Sequence, residues 1–68
     1  MELLIIKSGK DYFRVKEGEY LKCNLDKASV FPMDQIDMVS HHIEKLINSG
    51  ETAAMIYKLT ITEEPFEN

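Results

Sequence analysis

The spacing of apolar and polar positions changes several times along this chain, and each change marks an element. Leu3-Leu4-Ile5-Ile6 is apolar at every position, which predicts a strand buried on both faces. The turn residues Ser8-Gly9-Lys10-Asp11 follow it. Tyr12 to Lys16 alternates, with Phe13 and Val15 pointing one way and Tyr12, Arg14 and Lys16 the other, the pattern of a strand with one wet face. Glu17-Gly18 predicts a tight reversal, because Gly18 adopts positive φ without a Cβ clash. Glu19 to Cys23 repeats the alternation, and the expected phase sets Leu21 and Cys23 with the inner residues and Tyr20 and Lys22 with the outer ones.

Asn24 to Phe31 has no long period. Asp26 is placed to cap a single helical turn reaching Ser29, Val30-Phe31 would then enter the core, and Pro32 ends the segment. From Asp34 to Ser49, Ile36, Val39, Ile43, Leu46 and Ile47 recur at steps of three and four, predicting one amphipathic helix. Asp34 is expected as its N-cap, Asp37 adds charge that complements the helix dipole, and Gly50 is suited to the left-handed position after its end. Ala53 to Thr62 predicts the last strand, with Ala53, Met55, Tyr57, Leu59 and Ile61 as the apolar face toward the helix. One domain over residues 1–62 is expected, with 63–68 as an acidic solvated tail in which Pro65 blocks further pairing.

These elements predict an α+β fold, a small ββ(β)αβ two-layer domain whose mixed, mostly antiparallel sheet carries one helix on one face. The first and last strands, apolar on both sides, belong in the centre, and the second and third run outward as a hairpin. On this reading the last strand lies parallel to the first and the helix is a right-handed crossover between them.

Tyr20-Leu21, the run Asp26-Lys27-Ala28-Ser29-Val30-Phe31 and the amphipathic helix up to Leu46 resemble a group of small uncharacterised ββ-loop-αβ proteins of bacterial and phage genomes. In that resemblance Asp26, Ala28 and Phe31 form the linker before the helix. It implies a fold and brings no activity with it.

Charge and chemistry narrow the functional classes. Eight basic and twelve acidic residues leave a net charge of -4, which opposes generic attraction to a phosphate backbone. Glu63, Glu64 and Glu67 concentrate acid at the end of the chain. The single cysteine, Cys23, cannot form an internal disulfide, so a reducing, cytoplasmic setting is expected. The apolar run at Leu3–Ile6 is too short for a membrane span and lacks the cationic lead of a signal peptide.

His41 and His42 are neighbours on the predicted helix and point about 100° apart, so they do not share an ion; Asp37, His41 and Lys45 at steps of four read as a solvated charged row. Cys23 reads as a small inward hydrophobe rather than a nucleophile. The carboxylates are dispersed, and Gly9, Gly18 and Gly50 stand alone at turns, so no acid–base pair or phosphate cradle is visible. No catalytic residue, cofactor or metal is called for.

The remaining candidate is the outer hairpin face, on which Tyr12, Arg14, Lys16, Tyr20 and Lys22 are expected to emerge together. With one helix for a two-faced sheet, this side is expected to meet a protein partner or a second copy of the chain. The alternative is a weak single-stranded nucleic-acid binder using the same tyrosines and cations. Cross-strand packing on a half-wet sheet is the blander account of the same residues.

Overall fold

The computed structural model describes residues 1–66 and contains one sheet of five strands with one helix against it. The strands are β1 (Glu2–Ser8), β2 (Asp11–Lys16), β3 (Glu19–Cys23), β4 (Val30–Pro32) and β5 (Ala54–Thr60), and helix α1 spans Ile36–Asn48. The expected α+β architecture is present, with its centre on β1.

Two tight hairpins build the first half. Gly9 has φ 61, and Ser8 pairs directly with Asp11 across the two-residue loop. In the second hairpin both loop residues, Glu17 and Gly18, have positive φ (51° and 79°), as a type I′ turn requires to match the strand twist. The β2–β3 ladder then runs from Lys16↔Glu19 to Tyr12↔Cys23.

A short strand that periodicity missed sets the direction of everything after it. Only the end of β1 pairs with β2, at Lys7 and Ser8, and the two strands diverge beyond that point. Ser29 enters the gap. Its N–H donates to the Phe13 carbonyl (3.1 Å), and its Oγ accepts from the Val15 N–H (2.8 Å). Val30-Phe31-Pro32 then continues along β1, antiparallel to Ile5-Leu4-Leu3. Pro32 is tolerated at the end of this short strand because it need not donate to the ladder.

Because β4 has already reversed the chain, α1 travels back and β5 returns antiparallel to β1, from Glu2↔Thr60 to Ser8↔Ala54. The expected parallel pairing of first and last strands is therefore corrected, and so is the central place expected for the last strand, since β5 pairs with β1 alone and lies at an edge; their adjacency stands. The expected turn from Asp26 is also shorter, a 3-10 turn at Leu25–Lys27 in which Asp26 does not cap.

Helix α1 covers one face of the sheet. Val39 and Leu46 are buried against Leu4, Ile6, Phe13 and Ala54, with Tyr20, Phe31, Ile43 and Ile56 packed around them. Asp34 is not the N-cap: Met33–Gln35 forms a 3-10 turn, and Gln35 takes the cap position without a side-chain bond. The C-terminus follows expectation. Gly50 has φ 113, its N–H donates to the Ile47 carbonyl, and the Glu51 N–H donates to the Leu46 carbonyl, the paired bonds of a Schellman motif.

Candidate interaction face

Residues opposite one another on adjacent strands share a face, so the register assigns every strand side chain to the helix side or the open side. The two-residue hairpin links odd positions of β2 to even positions of β3. Phe13 lies opposite Lys22, Val15 opposite Tyr20, Arg14 opposite Leu21 and Tyr12 opposite Cys23. The expected single surface is thereby divided. Tyr12, Arg14 and Lys16 stand on the open face, whereas Tyr20 and Lys22 stand on the helix side, and Leu21 and Cys23 move outward.

The phase of β5 is corrected in the same way. Ile6 faces Ile56 and Ser8 faces Ala54 on the helix side, while Ile5 faces Tyr57 and Lys7 faces Met55 on the open side. The more apolar edge of β5 thus points away from the helix. Ala54, 5% exposed, takes the covered position instead, and its N–H donates to the carbonyl of Glu51 just beyond α1.

The open face consequently carries much apolar surface. Leu21 (45% exposed), Val30 (46%), Met55 (57%) and Tyr57 (46%) lie on it around Ile5, which is only 2% exposed. Ile5 is buried although no helix lies over it, and its partners on either side are Val30 and Tyr57. Lys7 sits between two aromatic rings, its Nζ 5.1 Å from the Tyr12 centroid and 5.4 Å from that of Tyr57. Each is within the range of a cation–π contact.

Charge divides between the faces as well. On the helix side Lys22 is paired with Glu51 (3.1 Å) and Lys58 with Glu2 (3.2 Å). Lys7, Arg14 and Lys16 on the open side make no such ion pair among the described residues. Lys7, Leu21, Cys23, Val30, Met55 and Tyr57 are members of this face that the sequence reading did not include. Counting parity across the two-residue Glu17-Gly18 loop is the signal that would have set the phase of β3.

The other candidate chemistry lies elsewhere. His42 lies beside Tyr20 and Phe31 on the helix side, with Tyr20 Oη 2.7 Å from His42 Nδ1 and the rings edge to face. Desolvation, then Lys45 and His41, holds the His42 imidazolium below its ordinary pKa, and burial raises that of Tyr20. A neutral imidazole accepting from the phenol satisfies both shifts. His41 is exposed and lies 3.6 Å from Glu44, so the two adjacent histidines do not converge. Cys23 is half-buried at the edge of the open face. Among the described residues no three His, Cys, Asp or Glu side chains gather as a metal site, and no helix is long and apolar enough to cross a membrane.

Comparison with protein-family models, curated proteins and solved structures gave no match to this chain. Function therefore has to be inferred from its own surfaces.

Proposed function

We propose that this protein is a non-enzymatic association module whose open sheet face takes a second copy of the same chain. The observation that carries this reading is the half-exposed set Val30, Met55 and Tyr57 around Ile5, on a sheet face that α1 does not reach. A standard protein interface removes about 800 Å² from each partner, a modest share of the 5292 Å² this chain exposes. A two-fold axis through the β4–β1–β5 region stacks the apolar halves and leaves Arg14 and Lys16 toward the periphery, where their repulsion is screened by solvent. A 68-residue chain also gains core by this route, since small domains bury a low fraction of their surface alone.

Light scattering at micromolar concentration tests the proposal. The parent is expected at two or more times the 7.9 kDa chain mass. Combined Val30→Lys and Met55→Lys should abolish this contact, while added salt should leave the parent contact intact because apolar burial is not screened. Retention of the parent mass by the double variant would refute face-to-face association.

One observation favours a second reading. Lys7 between Tyr12 and Tyr57, with Arg14 and Lys16 on the same face, combines stacking surface with cations as single-strand binders do. A salt-sensitive shift of the Tyr12 and Tyr57 ring signals on adding a short single-stranded oligonucleotide would favour it over self-association.

A further inference from the structure

We infer that the outer edge of β5 and the adjoining flank of α1 form a second, separate self-contact, in which two copies pair β5 with β5 antiparallel about a two-fold axis near Tyr57. This goes beyond the proposed face-to-face association; Met55 and Tyr57, on the open side of β5, are the residues the two contacts share.

The hydrogen-bonding phase of β5 follows from its end. Met1 and Ile61 exchange both backbone bonds, Met1 N to the Ile61 carbonyl at 2.9 Å and Ile61 N to the Met1 carbonyl at 2.8 Å. In an antiparallel ladder such pairs recur every second residue. Leu59, Tyr57 and Met55 therefore bond inward to β1, and the N–H and C=O groups of Ile56, Lys58 and Thr60 point outward. No strand pairs with them among the described residues.

Strands β3, β4 and β5 each pair on one side only, and β4 is guarded by its three-residue length and Pro32, which leaves β3 and β5 as the longer edges. Edge strands are usually kept short, charged, bulged or interrupted by proline. β3 is the shorter, with five residues, and carries Glu19 and Lys22. β5 is seven residues long, pairs with β1 without a bulge and contains no proline. Its single charge, Lys58, is already paired with Glu2.

The helix supplies the independent observation. His42 turns one flank of α1 toward Tyr20 on β3 and Phe31 on β4. At roughly 100° per residue, Ile36, Ser40, Ile43 and Ile47 fall on the opposite flank, above the β5 side of the sheet. Ile36 and Ile47 are each 42% exposed there, which accounts for why the expected helical stripe is only partly buried. The spacing of four, three and four is that of a helix–helix seam, and small Ser40 near its middle permits close approach.

One arrangement satisfies both features. With the axis at Tyr57, Ile56 pairs with Lys58 of the second copy and Ala54 with Thr60, so the outward backbone groups are bonded and the two Lys58 side chains do not lie directly opposite. Tyr57 meets its own copy in a closely spaced pair, a favourable place for aromatics. The helices, both on one face of the joined ten-stranded sheet, then meet along their isoleucine flanks.

Lys58→Pro isolates this contact, because it removes an outward N–H while the inward ladder to β1 is untouched. Lys58→Ala controls for loss of the ion pair to Glu2, and Ile47→Lys attacks the helix seam from a half-exposed position. Lys58→Pro and Ile47→Lys are each expected to halve the mass of the parent assembly while retaining its circular dichroism, and Lys58→Ala to preserve it. Amide exchange at Ile56, Lys58 and Thr60 should slow in the parent as its concentration rises. An unchanged mass in both disrupting variants, with those three amides exchanging freely at every concentration, would overturn the edge contact. The two self-contacts are separable: if only Val30→Lys with Met55→Lys lowers the mass, the face contact alone stands, and if only the edge variants do, the edge contact alone stands. A monomeric parent refutes both.

Discussion

Substituting Val39 by alanine tests the placement of the helix more sharply than any surface change. Val39 is 0% exposed and belongs to the cluster with Leu4, Ile6, Phe13, Leu46 and Ala54. Two carbons leave a fully buried site. At about 0.8 kcal/mol per buried carbon the transfer loss is about 1.6 kcal/mol, and a partly collapsed cavity raises it to about 2–3 kcal/mol. A domain of this size has a total stability of roughly 3–10 kcal/mol, so this one truncation removes a large fraction of it. The melting temperature should fall by about 10–20 °C. Met38, the preceding residue, is 42% exposed, and Met38→Ala should cost no more than about 0.5 kcal/mol, as surface substitutions do. Urea denaturation followed by circular dichroism, at one fixed protein concentration because association adds stability by mass action, measures both. Equal losses at Val39 and Met38, or a larger loss at Met38, would show that α1 presents a different face to the sheet.

Three further outcomes are expected. His42 has a lowered folded pKa, so the unfolded chain binds its proton more readily; stability from this group is complete above about pH 6.5 and is lost as pH falls through the lowered folded value. Urea midpoints between pH 7.5 and 5.5 should show that decline, and His42→Gln should flatten it. Gly18 has φ 79 with nothing within 4 Å of a Cβ built there, so Gly18→Ala should cost about 1–2 kcal/mol from backbone strain alone, whereas Glu17→Asn should raise the melting temperature because asparagine tolerates the left-handed conformation Glu17 now occupies. Removing residues 63–68 should change the urea midpoint by less than about 0.5 kcal/mol in free energy, since Phe66 is 90% exposed and the stretch before it has no regular structure. Glu67 and Asn68, which complete the acidic tail expected from sequence, lie outside the described residues.

The sequence periodicity revealed elements well and their partners poorly, for physical reasons visible in particular residues. The helix was legible because Val39, Ile43 and Leu46 recur at its period, and its end because Gly50 is free to take positive φ. β3 was located at Glu19–Cys23 from alternation alone. Alternation, however, defines two sides of a strand without saying which is covered. β1 is apolar on both sides and cannot break the tie. In β3 both sides mix polar and apolar residues, and only the length of the hairpin loop sets the phase. In β5 the set Met55, Tyr57 and Leu59 is the more apolar, yet Ala54 and Ile56 lie under the helix because the Schellman turn at Gly50 and the Ala54–Glu51 bond bring the strand in at that phase.

β4 was the harder case, and it matters most for the surfaces proposed to act. Three residues are too few for a period, and Pro32 reads from sequence only as the end of the segment before the helix. Its pairing depends on Ser29, whose backbone and hydroxyl both bond to β2 and hold the chain where β1 and β2 separate. This local contact decides the global geometry: without β4 the chain would need α1 to run the other way and would leave β5 parallel to β1. With β4 in place Val30 stands on the open face beside Ile5, and the antiparallel return of β5 places Tyr57 on the far side of the same residue. The Ser29 hydroxyl is therefore coupled to the apolar face through the strand it anchors. Ser29→Ala leaves the Val15 N–H without its acceptor and should cost about 1–3 kcal/mol, with faster exchange of the Phe31 amide, the one that β4 bonds to β1, as its signature. If the Phe31 amide exchanges as slowly in Ser29→Ala as in the parent, β4 is held by its ladder to β1 alone and Ser29 has no part in fixing the face.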